Sequence, residues 1–495
     1  MYMREAFTVD KANFFIENNK NKVDEKYRHH YHVMAPIGWV NDPNGFVYFQ
    51  GEYHLFYQYY PYDSCWGPMH WGHTKSRDLI HWEELPVALA PDKPYDKDGC
   101  FSGSAIEKDG KLYLMYTGHV EKNDRTYQTQ CIAFSEDGIH FEKLCQNPVI
   151  DEKILNTNGT IHDFRDPKVF LRNEKYYSVV ASKNEEDKGR ILLFESKDML
   201  NWSFTSILLE GDATQGIMWE CPDLFHLNGK DVLIMSPIQI PKKGDEYHNI
   251  SSTVAFIGLV NWETGKFSVE NYHEIDFGFD FYAPQTLEDN QSRRIMIAWM
   301  QMWDRTLPTH DLAHGWAGAM SLPRELSVKD NQLIQKPITF VYDSLNITQA
   351  IHALTVSSNT ITFDNSVGDN MYMRLLIDMT EADELTIQLA KVGESSLQMH
   401  YDCQTQKFIL NREKIGYKLE GREQELLVQR QTQVSLIDGQ LEVELFRDTS
   451  SVEIFLNKQK TMSTTFYEII KGKNLEISSS GIAKIITLEF GQIKT

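Results

Sequence analysis

The sequence predicts an all-β protein: a five-bladed β-propeller followed by a C-terminal β-sandwich. Two observations predict the propeller, namely a hairpin pattern that recurs five times and a short polar motif that recurs at nearly the same interval. A third observation, a change in strand pattern after residues 322–325, predicts the sandwich. Strand-rich units of roughly 40–60 residues, repeated along the chain, are typical of propellers.

The hairpin repeat consists of an apolar run, a polar turn and a second apolar run. Short β-branched or aromatic runs bounded by Gly, Asn or Asp predict β-hairpins. The polar motif begins at Ser76, Ser135 and Ser196, so its two intervals are nearly equal and match the hairpin interval. The five predicted hairpins are 45–57, 104–116, 168–181, 224–236 and 286–299.

The predicted domains are residues 1–335, an N-terminal helix plus the propeller, and residues 336–495, the sandwich. A loosely helical spacing of Phe7, Phe14, Phe15 and Ile16 predicts the helix within residues 4–26, packed on the first blade. In the second domain, segments 385–389, 441–445 and 452–456 alternate polar and apolar residues, as strands of a two-sheet sandwich do.

Composition narrows the range of partners. The 495-residue chain has a net charge of -21, which disfavours nucleic acid and anionic membranes as partners. It contains no uninterrupted apolar run long enough for a membrane span, and the N-terminal residues lack an apolar stretch of secretory length. We therefore expect a cytoplasmic protein with no membrane partner. A sandwich packed on a propeller also offers surfaces for a homo-oligomer.

Neither the cysteines nor the histidines predict a metal site. The six cysteines include no Cys-x-x-Cys pair, so free thiols are expected. His29, His30 and His32, and also His70 and His73, are candidate ligands, but no acidic partner stands at a matching spacing. These residues therefore predict no metal site.

Three segments combine a carboxylate with a proline: 39–45, 164–167 and 219–223. The intervals between their acids, Asp42, Asp166 and Glu220, correspond to about two repeats and then one repeat. A turn-capping role is the simpler interpretation of any one of them. Acids at equivalent positions of repeated blades, however, can converge on one axis, and a glycosidase needs a nucleophilic carboxylate and a carboxylic acid.

The neighbours of each acid suggest its role. Amide side chains around Asp42 favour the ionised form that a nucleophile needs. An apolar wall from Trp219 would raise the pKa of Glu220, which suits a general acid/base. Arg165 would hold Asp166 ionised to grip sugar hydroxyls.

With these motifs the whole chain resembles glycoside hydrolase family 32, which contains invertases, levanases and sucrose-6-phosphate hydrolases. Segment 39–45 resembles the nucleophile motif, with Val40 where Met is commoner, and 101–104 resembles a sugar-binding turn. Segment 165–167 resembles the transition-state stabiliser, 219–222 the acid/base motif and 281–286 a fifth-blade motif. The resemblance implies a five-bladed propeller and cleavage of β-fructofuranosides with retention, without metal or cofactor. It assigns catalysis to Asp42, Asp166 and Glu220, and substrate binding to Trp39, Asn41, Gln58, Trp66, Phe101, Ser102 and Arg165.

The predicted function is a retaining β-fructofuranosidase acting on a small carbohydrate: sucrose, sucrose 6-phosphate or a short fructo-oligosaccharide. Retention predicts carboxyl groups of Asp42 and Glu220 about 5–5.5 Å apart. Two alternatives stay open: a transfructosylase that uses the same acids, and a non-catalytic sugar-binding propeller. The sequence does not choose among the three substrates or locate a phosphate subsite.

Overall fold

The computed structural model describes residues 7–422 and 427–495. Five β-sheets follow one another along the chain and form the propeller, and a larger strand assembly forms the C-terminal part. Both parts of the predicted fold are confirmed. None of the helices in the described residues is long and apolar enough to cross a membrane.

The helices are short and lie mostly at the N-terminus and in connections. Helix α1 begins after Thr8, whose Oγ1 accepts a hydrogen bond from Lys11 N at 3.2 Å. It packs against the first blade, where Asn13 Oδ1 accepts from Val87 N at 2.9 Å. It lies within the predicted range, of which residues 4–6 are outside the described residues, and Phe14 is exposed rather than packed. The helices are α1 (Val9–Asn19), α2 (Glu152–Leu155), α3 (Pro308–Asp311) and α4 (Thr339–Asp343), with 3₁₀ turns at Lys20–Lys22 and Asn156–Asn158.

Each propeller blade begins with one of the predicted hairpins, and all five are present. Blade 1 contains strands β1–β4, blade 2 β5–β8, blade 3 β9–β12 and blade 4 β13–β16. Blade 5 contains β17, β18, β20 and β21. The bounds are β1 (Gly38–Phe49), β2 (Glu52–Tyr60), β3 (His70–Ser76), β4 (Trp82–Leu89), β5 (Gly99–Lys108), β6 (Lys111–Lys122), β7 (Arg125–Ser135), β8 (Glu142–Lys143), β9 (Phe164–Arg172), β10 (Lys175–Lys183), β11 (Gly189–Ser196), β12 (Trp202–Glu210), β13 (Met218–Leu227), β14 (Lys230–Ile238), β15 (Val254–Asn261), β16 (Lys266–Glu274), β17 (Tyr282–Glu288), β18 (Arg294–Trp299), β19 (Trp316–Ala317), β20 (Arg324–Lys329) and β21 (Gln332–Pro337).

The first strands of the five blades surround the central axis. Strands β1, β5, β9, β13 and β17 contact one another in that order, and β17 also contacts β1. The ring is closed further by β19, which pairs in parallel with β1 through Gly38↔Trp316 and Trp39↔Ala317. Side chains on these five inner strands therefore share one central channel.

Two long strands connect the layers of the sandwich. The first half of β24 pairs with β28 and with the second half of β31, whereas the second half of β24 pairs with β25 and with the first half of β31. The register of β24 shifts between Asp378 and Glu384, where the strand passes from one layer to the other. Apolar side chains such as Leu375, Leu445, Ile387 and Met399 fill the space between the layers. The strands are β22 (Leu345–Ser357), β23 (Thr360–Phe363), β24 (Met371–Val392), β25 (Ser395–Asp402), β26 (Lys407–Asn411), β27 (Gln429–Gln433), β28 (Gln440–Asp448), β29 (Ser451–Leu456), β30 (Lys460–Thr465) and β31 (Asn474–Ile493).

Buried ion pairs join the sandwich to the propeller. Arg324 of β20 donates from Nε to Glu453 Oε2 at 3.1 Å and from Nη1 to Asp276 Oδ2 at 3.1 Å. His32 lies between Asp448 and Glu453. The division at residues 335/336 stays a prediction, since β21 ends at Pro337 and β22 begins at Leu345.

Candidate active site

One small pocket, of about 70 Å³, brings together nearly all the residues predicted to form the site. The three acids converge there, together with six of the seven predicted binding residues. Trp39 is the exception: it is buried behind the pocket, and its Nε1 donates to Asn41 Oδ1 at 2.7 Å. The lining residues are Asn41, Asp42, Gln58, Trp66, Phe101, Ser102, Arg165, Asp166, Glu220 and Trp303.

Every inner strand has a β-bulge, and the bulges of β1, β5, β9 and β13 lie at residues that line this pocket. Hydrogen-bond register with the neighbouring strand shifts after Val40, Phe101, Arg165, Glu220 and Tyr282. Four of these bulges contain an X-Pro pair: Asp42-Pro43, Asp166-Pro167, Cys221-Pro222 and Ala283-Pro284. Bulges break the alternation of side chains and turn additional ones toward one face, which is why they often occur at functional sites.

The bulge register corrects the expectation that the three acids occupy equivalent positions. Asp42 and Asp166 each precede a proline, and so does Cys221, whereas Glu220 lies one position earlier. Its equivalents are Arg165 and Tyr282, which are also the last paired residues before their bulges. The interval between repeats was too coarse a measure to show a difference of a single position.

Asp42 is a buried carboxylate held by two donors. Ser102 Oγ donates to its Oδ2 at 2.8 Å and Asn41 Nδ2 to its Oδ1 at 3.1 Å. The expected amide donor is therefore present, and both bonds favour the ionised form. Burial and the charge of Glu220 outweigh them, so the pKa of Asp42 is raised above its ordinary value.

Asp166 is a buried carboxyl whose pKa is raised into the neutral range. Burial, followed by the charges of Glu220 and Asp42, raises its pKa to about 7, even though Arg165 opposes this. Its Oδ2 accepts from Cys221 N at 2.9 Å, and its backbone adopts a left-handed conformation with φ of 64°. Arg165 favours the ionised form of Asp166, as expected, but does not outweigh burial, because its guanidinium bonds to Asp163 and Glu220 rather than to Asp166.

Glu220 is held by the two residues equivalent to it on the neighbouring blades. Arg165 donates to Oε1 from Nε at 3.1 Å and from Nη2 at 2.9 Å. Tyr282 donates its hydroxyl to Oε2 at 2.6 Å. The expectation that Trp219 forms an apolar wall beside Glu220 is wrong, since Trp219 packs into the core between blades 3 and 4.

Aromatic rings form the walls of the pocket. Trp66 is 44% exposed and meets Phe101 edge to face, with ring centroids 6.2 Å apart. Phe101 in turn stacks on His119 at 3.9 Å. Gln58 is fixed by a hydrogen bond from Nε2 to Cys100 O at 3.0 Å, which leaves its carbonyl oxygen to accept from a ligand. Such walls suit the apolar faces of a sugar.

The sequence did not identify Tyr282 or Trp303 as site residues. Aligning the X-Pro pairs would have placed Tyr282 beside Glu220. Trp303 lies in a connection outside the repeat and stacks on Trp39 at 6.0 Å. Cys221 also touches two acids, with Sγ 3.6 Å from Asp42 Oδ2 and from Asp166 Oδ2.

The histidines outside the pocket have other partners. His29 and His32 do have an acidic neighbour, Asp448, which is distant in sequence and could not be found from spacing. Both nitrogens of His32 already face carboxylates, Asp448 at 2.8 Å and Glu453 at 3.0 Å. His73 pairs with His54, and His70 lies 2.9 Å from the carbonyl of Pro68. All six cysteines are free thiols, as predicted.

Comparison with known families identifies both parts of the chain. The protein-family model described as "Glycosyl hydrolases family 32 N-terminal domain" matches residues 32–337. The model described as "Glycosyl hydrolases family 32 C terminal" matches residues 342–491.

Individual relatives match over nearly the full length. A sucrose-6-phosphate hydrolase of Escherichia coli is 36% identical over 92% of this chain and 92% of its own. A raffinose invertase of the same species is 35% identical over 92% of this chain and 93% of its own. Among solved structures, a Bombyx mori β-fructofuranosidase, BmSUC1, has a TM-score of 0.83 at 35% identity and covers 98% of both chains. A sucrose-6-phosphate hydrolase from Lactobacillus gasseri has a TM-score of 0.86 at 27% identity and covers 99% of both.

Proposed function

Because the chain belongs to glycosyl hydrolase family 32, we propose that it hydrolyses terminal β-fructofuranosyl units of sucrose-type substrates with retention of configuration. The observation that carries this proposal is the convergence of Asp42, Asp166 and Glu220 on one aromatic-walled pocket. A pair of carboxyl groups flanking the scissile bond is the minimum equipment for glycoside hydrolysis.

In the first step Asp42 attacks C2 of the fructosyl unit and Glu220 protonates the departing oxygen. The bonds from Ser102 and Asn41 fix both oxygens of Asp42, so that attack needs little reorganisation. The C2–O bond breaks with its electron pair on the leaving sugar, which takes the proton of Glu220. A covalent fructosyl ester of Asp42 results.

In the second step water replaces the leaving sugar. The water oxygen attacks C2 while Glu220 accepts a proton from the water, and the ester bond to Asp42 breaks. Arg165 and Tyr282 keep Glu220 in one position through both steps while its charge changes. Tyr282 is therefore proposed as a positioning residue for the acid/base.

Asp166 binds hydroxyls of the fructosyl ring in this mechanism. With a pKa of about 7 it is partly protonated near neutral pH, so its carboxyl group can donate as well as accept hydrogen bonds. A protonated Asp166 also removes one negative charge from the vicinity of Asp42. The remaining charge on Asp42 is then available for the oxocarbenium-like transition state.

The preferred substrate is tested by comparing rates on sucrose, sucrose 6-phosphate and kestose. The named relatives include sucrose-6-phosphate hydrolases and a raffinose invertase, so they support the class of substrate more strongly than any one member. Release of fructose from at least one of the three is expected, and methanol as acceptor should give the methyl β-fructofuranoside. A folded enzyme that releases fructose from none of them would contradict the proposal.

We also propose that the enzyme acts in the cytoplasm, where a phosphorylated sugar would be retained because its charge opposes membrane crossing. Activity recovered in a membrane-free cell extract, and absent from the medium, is the expected result. A homo-oligomer stays a prediction that light scattering tests.

A further inference from the structure

A group of three side chains that could ligate a metal ion lies near the pocket in sequence and takes no part in the proposed mechanism. Asp63 and Cys65 lie in the connection between β2 and β3, and His310 lies in helix α3. One potential ligand atom from each residue lies within 4.8 Å of the other two. The side chains of Asp63 and His310 are 54% and 39% exposed, so an ion could reach them from solvent.

We propose that Asp63, Cys65 and His310 form a binding site for a soft divalent metal ion of the Zn²⁺ class. Thiolate, imidazole and carboxylate are the three donor types that Zn²⁺ takes in proteins, and three protein ligands leave a fourth position for water. On binding, the thiol of Cys65 releases its proton to solvent and the sulfur forms the metal bond.

The spacing of the three side chains fits this purpose. Ligand atoms around a tetrahedral Zn²⁺ lie about 3.3–3.8 Å apart, given metal–ligand distances of roughly 2.0–2.3 Å. His310 Nδ1 and Asp63 Oδ1 are 3.8 Å apart, too far for a hydrogen bond and close to that value.

The imidazole of His310 is already held beside the other two ligands. Ser64 Oγ lies 2.7 Å from His310 Nδ1 and joins the connection to α3 before any ion is bound. This contact places the ring beside Asp63, with Nδ1 3.8 Å from Asp63 Oδ1, and the Ser64 hydroxyl is displaced when Nδ1 binds the ion. The group of His29, His32 and Asp448 is a poorer candidate for metal binding, because both ring nitrogens of His32 are engaged by carboxylates.

The location gives metal binding a consequence for the pocket. Cys65 directly precedes Trp66, and α3 follows shortly after Trp303. Both tryptophans line the pocket. A bound ion would cross-link the two segments that contain these tryptophans.

The decisive experiment is a Co²⁺ titration of the reduced, tag-free full-length protein, followed by absorption. Cobalt substitutes for zinc and shows a sulfur-to-cobalt charge-transfer band when a thiolate is a ligand. We expect that band to saturate at one ion per chain and to be displaced by Zn²⁺. Cys65→Ser should abolish it, and His310→Gln should weaken Zn²⁺ binding by at least ~10–100-fold, the cost of losing even an outer-shell partner of a ligand.

Two other thiols provide the controls. Cys145 is exposed and follows β8 of blade 2, outside the proposed site, so Cys145→Ser should leave the titration unchanged. A band that survives Cys65→Ser, or that is lost in Cys221→Ser instead, would overturn the assignment, as would the absence of any band. The measurement needs no turnover, so its outcome is independent of whether the hydrolase proposal holds.

Discussion

Asp42 and Glu220 are assigned to different steps, so their amide variants should fail differently. With sucrose, Asp42→Asn and Glu220→Gln are both expected to lower kcat by ~10³-fold or more, because each removes a group that forms or breaks a bond. With an activated nitrophenyl fructoside, the leaving group needs no protonation. Glu220→Gln should then still show a burst of nitrophenol, and Asp42→Asn should show none.

Folding must be intact for that comparison to count. Unchanged circular dichroism and thermal unfolding within a few degrees are the required controls, and Ser102→Ala provides a milder variant that removes one donor to Asp42. Sucrose turnover equal to wild type in either amide variant would contradict the assignment of the acids.

Ionisation of Asp166 should lower the free energy of unfolding at neutral and higher pH. Because its folded pKa of about 7 is above the unfolded value of 3.8, folding favours the protonated form, and the penalty grows as pH rises from about 4 to 7. Asp166→Asn should therefore raise the free energy of unfolding at pH 8, by up to about 4 kcal/mol, and have little effect near pH 4. Urea denaturation at both pH values measures this.

The same variant should lose activity, because the amide replaces a carboxyl oxygen that can accept from a sugar hydroxyl by a nitrogen that can only donate. A stability gain of equal size at pH 4 and pH 8 would show that the effect is not the ionisation of Asp166.

At the residue level, most of the site was accessible from sequence because its members belong to compact motifs. The structure places nine of the ten predicted residues in the pocket, although their individual roles stay predictions. What the sequence missed depends on contacts between blades. The bond from Tyr282 to Glu220 joins residues 62 positions apart, and Arg165 reaches across blades to the same carboxylate.

At the level of the strands, the bulge in β5 should be intolerant of a side chain at Gly103. A Cβ there would lie 2.0 Å from Met115 O and 2.7 Å from Tyr116 Cα, both of which are backbone atoms that cannot rotate away. Gly103→Ala should therefore destabilise the protein by about 2–3 kcal/mol and reduce activity, because the adjacent Ser102 holds Asp42.

Gly110, in the turn between β5 and β6, is the matched control. It has φ of 77° but open space around it, so Gly110→Ala should cost only the ~1–2 kcal/mol of left-handed backbone strain and leave kcat unchanged. Denaturant midpoints and sucrose turnover of the two variants separate steric clash from backbone strain. Equal effects on turnover would argue against the bulge as the device that positions Ser102.

The strands themselves were largely predictable, since each hairpin combines local apolar runs with a polar turn. The sandwich was predictable only as a class. Segment 385–389 was recognised as a strand, but it is part of β24, which runs from Met371 to Val392 and pairs in both layers. The passage of one strand through both layers depends on pairing with β31, a strand far along the chain, and leaves no local sequence pattern.

At the level of the whole molecule, the sandwich is fastened to the propeller by charges that are buried on both sides. Glu453 accepts from Arg324, from Leu322 N at 2.7 Å and from His32. Removing one partner of a buried pair leaves an uncompensated charge, at a typical cost of about 3–5 kcal/mol. The relative position of the two parts therefore depends on complete pairing.

His32 should make this junction sensitive to alkaline pH. Burial alone would lower its pKa, but both of its nitrogens face carboxylates, which outweigh burial and raise the pKa to about 9. Because the folded pKa is above the unfolded value of 6.5, the stabilisation is fully present below pH 6.5 and is lost as pH rises through 9. The loss should be on the order of 3 kcal/mol in the wild type and absent in His32→Gln. Urea denaturation from pH 6 to pH 10 measures it, with His140→Gln as the control because that exposed histidine pairs with Asp137 of its own turn. If the wild type and His32→Gln lost stability in parallel over this range, the imidazolium would not be what fastens the sandwich to the propeller.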